Sequence, residues 1–214
     1  YIYAYDLQNG KESKITIHIA NDQTYYRQVL TDVSGQISSV APSPGGERVV
    51  VAAHGDIFSL PVNAGITYNL TNSSDANDMQ AGWSPDGKYI SYVSDKDGEF
   101  NIYLRDVQTG KERKLIKSYI FNYKWSPDSK KILWSEKGNT LNISDVESGN
   151  RKVIEKSGVS PLTSYNWSPD SKYITYVRPE AAMNNIIVYN TESGEKHQVT
   201  DGWFGAASPN FSED

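Results

Sequence analysis

The recurrence of one dipeptide limits what this chain can fold into more than any other feature. A Ser-Pro pair falls at Ser43, Ser84, Ser126, Ser168 and Ser208, at intervals of 41, 42, 42 and 40 residues. The fullest copy, residues 77–107 (NDMQAGWSPDGKYISYVSDKDGEFNIYLRDV), alternates short apolar runs with turns. In its turn Ser84-Pro85-Asp86-Gly87, proline presets φ for the second position, aspartate bonds locally and glycine accepts positive φ. The run KYISYVS that follows is dense in Tyr, Ile and Val, with Tyr89 and Tyr92 on opposite faces, so this strand is expected to be covered on both sides. The turns Asp95-Lys96-Asp97-Gly98 and Gln108-Thr109-Gly110-Lys111 introduce two more strands. Four short strands in a fixed period of roughly 40–45 residues are the mark of a propeller blade. The expected fold class is therefore all-β, a β-propeller of four-stranded antiparallel blades.

The copies lie approximately at residues 1–19 (partial), 36–72, 77–117, 119–157, 162–201 and 202–214 (partial), giving about four complete blades with partial ones at both ends. Trp83, Trp125 and Trp167 occupy one position before the Ser-Pro pair, where the outer copies have Pro42 and Ala207. Their expected role is packing between neighbouring blades, with ligand stacking as the alternative. The run 49–53 (VVVAA) reads as a fully buried inner strand. Ser129 and Ser171 stand where the second copy has Gly87, so those turns close with a less permissive residue or a different fourth position. Residues 20–35 form a polar link longer than the other connections. Counting strands, the two ends together leave a composite blade one strand short, and propellers of this kind close with some six or seven blades. The chain is accordingly expected to belong to a longer polypeptide, with strand edges prone to association if studied alone.

Charge and composition narrow the partners. A net charge of −5 without a basic stripe argues against nucleic acid. No apolar stretch approaches membrane-span length, so no membrane insertion is expected, and Tyr1 begins within a strand-like run rather than a signal peptide. The absence of cysteine excludes disulfides and thiolate zinc sites without deciding the compartment. His54 begins a tight turn with Gly55 and has no nucleophile elbow or partner motif to make it catalytic. Asp95, Asp97 and Glu99 alternate in a glycine-containing turn, but the ligand run of an EF-hand is missing, so they read as a solvated hairpin tip. No catalytic or metal-binding residue is assigned, no cofactor is expected, and the substrate-binding residues stay open. The longer 178–184 link of the fourth copy (RPEAAMN) is a place where specificity could sit.

The repeats WSPDGKYISYVSD, WSPDSKKILWSE and WSPDSKYITYV resemble those of TolB-like propellers. The ordered segment Gly55-Asp56-Ile57-Phe58, Pro61, Leu70-Thr71, Trp83 to Gly87, Ser94-Asp95 and Gly98-Glu99 is similar to the propeller of tricorn-type serine peptidases. That resemblance implies a noncatalytic domain that filters or guides peptides to catalytic domains elsewhere in the same polypeptide. No position here matches the family's catalytic residues. The implied partners are peptide substrates and the remaining domains, with a homo-oligomer possible, and the analogy favours a periplasmic or secreted location over the cytoplasm. The first strand of each blade is the candidate channel lining: residues 37–40 (ISSV), 79–82 (MQAG), 121–124 (FNYK) and 163–166 (TSYN). A TolB-like protein-interaction scaffold and a propeller lid on an α/β-hydrolase (prolyl oligopeptidase-like) peptidase are the alternative readings.

Overall fold

A computed structural model describes residues 2–16, 32–180, 183–203 and 205–212, in two units, Tyr1–Asp32 and Val33–Asp214. In the first unit, β1 (Ile2–Tyr5) and β2 (Glu12–Ile15) form an antiparallel hairpin with Ile2 opposite Ile15 and Tyr5 opposite Glu12. Asp6 organises its turn, accepting hydrogen bonds from the Gln8 N–H at 2.8 Å and the Asn9 side-chain amide at 2.6 Å, while Gly10 takes φ +69°. Residues 17–19 of the partial copy expected at 1–19 lie outside the described residues. Most of the polar link at 20–35 lies outside the described residues, apart from a short 3-10 turn at Ser34–Gln36.

The second unit is a four-blade segment of a β-propeller. The first blade comprises β3 (Ile37–Pro42), β4 (Arg48–Ala53), β5 (Asp56–Pro61) and β6 (Tyr68–Asn69). In the second come β7 (Asp78–Trp83), β8 (Tyr89–Ser94), β9 (Asn101–Asp106) and β10 (Glu112–Ile116). The third holds β11 (Ile120–Trp125), β12 (Lys131–Glu136), β13 (Thr140–Asp145) and β14 (Arg151–Lys156). The fourth is built from β15 (Tyr165–Trp167), β16 (Tyr173–Pro179), β17 (Asn184–Asn190) and β18 (Lys196–Gln198). Every sheet is an antiparallel meander in chain order.

Local chemistry explains the turns. In the Ser-Pro-Asp copies the serine is fully buried and its Oγ donates to the aspartate two residues on: Ser84 to Asp86 at 2.7 Å, Ser126 to Asp128 and Ser168 to Asp170 at 2.6 Å. The same Oγ accepts the N–H that opens the next strand, as Ser84 Oγ does from the Tyr89 N–H at 2.9 Å. The turn from third to fourth strand repeats another device. Asp106, Asp145 and Asn190 accept the N–H of Thr109, Ser148 and Ser193 at 2.7, 2.8 and 3.0 Å, just before a glycine with positive φ. Asp6 to Gly10 has the same layout.

Apolar side chains gather in three clusters, one at each seam between consecutive blades of this unit. Val50, Ala52 and Ile57 meet Ala81, Ile90, Tyr92 and Tyr103 at the first. Val93, Ile102 and Leu104 meet Ile132 and Trp134 at the second; Leu133, Leu141 and Ile143 meet Tyr165, Ile174 and Tyr176 at the third. Successive residues of a strand point to opposite faces, so Ile90 and Val93, or Ile132 and Leu133, serve different seams. That is why second strands read as continuous apolar runs. The run 49–53 departs from its expected full burial: Val50, Ala52 and Ala53 are buried, but Val49 and Val51 face away from the second blade and stay half-exposed.

Candidate functional site

The first strands β3, β7, β11 and β15 each pair with only one neighbour in their own sheet, leaving the other edge free. They are tied instead to one another. The Ala81 N–H donates to Ser39 Oγ at 3.0 Å, Tyr123 Oη donates to the Gln80 carbonyl at 2.6 Å, and Tyr165 Oη donates to the Asn122 carbonyl at 2.8 Å. Gln80 adds a bond from its Nε2 to the Phe121 carbonyl at 2.9 Å. These links place the first strands side by side as the innermost elements of the four blades. Irregular registers in β3, β7 and β11 bend them there, and in β7 the bulge puts Gln80 at φ +52°.

The register divides the candidate lining. Tyr123 and Trp125 turn into the seam with the second blade, and Tyr165 and Trp167 into the seam with the third. Burial pushes the Tyr123 phenol up, and pushes that of Tyr165 up to about 12, so both remain neutral hydrogen-bond donors at physiological pH. Asn122 and Lys124 take the alternate positions and are exposed. At the inner end of the first three blades a cleft of about 300 Å³ is lined by Ser39, Gln80, Asn122, Tyr123 and Trp125. A second, more charged cleft of about 590 Å³ lies at the turns of blades two and three, between Lys88, Arg113, Lys130, Asp128, Asp145 and Glu147.

The tryptophans occupy the seams as expected, though not at one depth. Trp167 is 9% exposed, while Trp83 and Trp125 are half-buried. Trp125 Nε1 donates across the seam to Ser91 Oγ at 2.7 Å, and Trp167 Nε1 to the Lys124 carbonyl at 3.4 Å. The fully buried indole is Trp134, on a second strand where the neighbouring blades have Tyr92 and Tyr176. Aligning the copies at their second strands would have revealed it. His54 sits exposed at φ +53° beside Gly55 at +84°, the two central residues of a primed hairpin turn. Asp95 and Asp97 are both engaged. Asp95 accepts from the Asn77 N–H at 2.7 Å, and Asp97 from Tyr103 Oη at 2.5 Å and Lys114 Nζ at 2.6 Å. Among the described residues no three His, Asp or Glu side chains gather as a metal-holding group.

Residues 37–214 match the family model described as the tricorn protease second beta propeller domain. The chain belongs to that family. This tricorn-type propeller is 24% identical over 215 aligned residues, all of its length, to a tricorn protease homolog from Saccharolobus solfataricus, of which it spans 20%. The crystal structure of the tricorn protease superposes with a TM-score of 0.77 at 18% identity, covering 99% of this chain and 21% of that one. TolB from Acinetobacter baumannii superposes at 0.60 and 21% identity, over 91% of this chain and 47% of that one. The tricorn-type propeller therefore spans about a fifth of the tricorn proteins it matches.

Proposed function

We propose that these residues are a noncatalytic propeller domain of a tricorn-like serine peptidase, and that their first strands line a passage guiding extended peptides to catalytic domains elsewhere in the same polypeptide. The observation that carries this reading is the lacing of first strands in a domain of this family. Tyr123 and Tyr165 draw successive inner strands together and leave polar groups such as Asn122 on the open side. An opening edged by side-chain amides and hydroxyls can hydrogen-bond an unfolded backbone without demanding a sequence. The partners on this reading are peptides and the remaining domains of the parent.

Narrowing the passage tests it. In the full-length protein, Asn122→Trp adds an indole to the inner surface at an exposed position. We expect kcat/KM for a long unstructured peptide to fall several-fold more than kcat/KM for a short fluorogenic substrate that can reach the catalytic site by any opening. Equal effects on both, or no peptidase activity in the full-length protein, would overturn the proposal.

A further inference from the structure

The four candidate lining segments, ISSV, MQAG, FNYK and TSYN, contain a single charged side chain, Lys124. It is exposed, and its Nζ donates across the third seam to Asn166 Oδ1, a neutral acceptor. Asn166 is in turn held from the far side. Its Nδ2 donates to the Pro209 carbonyl at 2.8 Å and to Asn210 Oδ1, which orients its carbonyl oxygen towards the lysine. The ion pairs among the described residues engage Lys88, Lys96, Lys114, Lys196, Arg105, Arg151 and Arg178, but they do not include Lys124. Partial desolvation between the blades pulls the Lys124 pKa down, so its charge is incompletely compensated where it stands. Two residues earlier on the same strand face, the exposed Asn122 brings a second side-chain amide to the same side.

From this placement we infer that Lys124, positioned by Asn166, is the charge-selecting group of the inner surface and binds a carboxylate of an extended peptide. The inference rests on the passage reading above and deepens it: along these four segments, otherwise uncharged, one cation would rank peptides by charge. A carboxylate seated there accepts from Nζ and gains the compensation that the neutral Asn166 oxygen does not provide. The source is an aspartate or glutamate side chain, or the C-terminal carboxylate.

The test uses the full-length protein and four fluorescently labelled peptides of one backbone sequence, carrying a central Glu or Gln and ending in a free acid or an amide. Binding is read by anisotropy, independently of cleavage. We expect the carboxylate peptides to bind more tightly than the Gln amide. Lys124→Gln should reduce that preference roughly two- to fivefold, the size of a partly exposed ion pair, and Lys124→Arg should retain it. Loss of preference in the Glu arm assigns the site to side chains; loss in the free-acid arm assigns it to C-termini. If wild type binds none of the four peptides, the passage reading fails together with this one. If it binds all four and Lys124→Gln leaves their ranking unchanged, or weakens all equally, only the charge assignment falls.

Discussion

At the scale of single residues, the seams are set by which polar atom an indole meets. Ser91 is fully buried, accepts from Trp125 Nε1 at 2.7 Å, lies 2.9 Å from Tyr123 Oη and donates to the Gly82 carbonyl at 3.2 Å. One period earlier the same place is taken by Val50, and Trp83 Nε1 is buried without a partner. An unpaired buried donor costs about 1–3 kcal/mol. Ser91→Ala should therefore destabilise the protein by about that amount, because it leaves Trp125 as Trp83 already is. The converse is also expected: Val50→Ser should retain more stability than Val50→Ala, since its hydroxyl can reach the Trp83 indole. Denaturant midpoints of the three variants decide it, and equal midpoints for the two Val50 variants would mean that the hydroxyl does not reach.

At the scale of elements, the Ser-Pro-Asp turns join blades as well as strands. Ser129 and Ser171 adopt φ +61° and +62°, the left-handed region that Gly87 fills at +74° in the second blade. Their hydroxyls account for the choice: Ser129 Oγ accepts the Asp86 N–H at 2.9 Å and Ser171 Oγ the Asp128 N–H at 3.0 Å, each in the preceding blade. Left-handed backbone costs a residue with a Cβ about 1–2 kcal/mol, and a part-buried hydrogen bond returns a comparable amount. Ser129→Ala keeps the strain and loses the bond, whereas Ser129→Gly loses the bond and relieves the strain. The expected order of thermal midpoints is wild type, then Gly, then Ala. A Gly variant less stable than Ala would show that backbone strain is not part of the balance.

Across the second unit, three ion-paired glutamates tie strands together and make it sensitive to acid. Burial pushes Glu136 up, but hydrogen bonds from Ser118, Thr140 and Arg151 outweigh it and hold its pKa below the ordinary value. Glu155 is likewise raised by burial and lowered further by Tyr176 Oη at 2.6 Å and Lys196 at 2.9 Å across the third seam. Glu112 follows the same balance with Lys96 at 3.1 Å. A carboxyl depressed in the folded state contributes stability in full above its unfolded pKa, about 4.3 for Glu. That contribution is lost as pH falls through the folded value, because the unfolded chain takes up protons first. The thermal midpoint should hold at neutral pH and fall steeply below about pH 4.3, and Glu136→Gln should flatten the fall. An acid limb identical in wild type and Glu136→Gln would remove Glu136 from this role.

The periodic Ser-Pro turns, the four alternating runs per copy and the paired-face apolar strands were legible in the linear order, because each depends on neighbours within a few residues. Hence the all-β propeller could be read directly, whereas the first strands become candidate lining only through the resemblance to tricorn-type propellers. What lay beyond it was every contact 41 to 44 positions away. Periodicity names the equivalent residues of successive blades but not which way they turn. Tyr123 and Lys124 are adjacent in a lining segment, yet strand alternation sends one into the seam and leaves the other exposed. The reason Ser129 and Ser171 replace glycine, the orphaned indole of Trp83 and the seating of Lys124 against Asn166 arise only when separate copies are brought side by side. Their energies belong to atoms that chain proximity never places together.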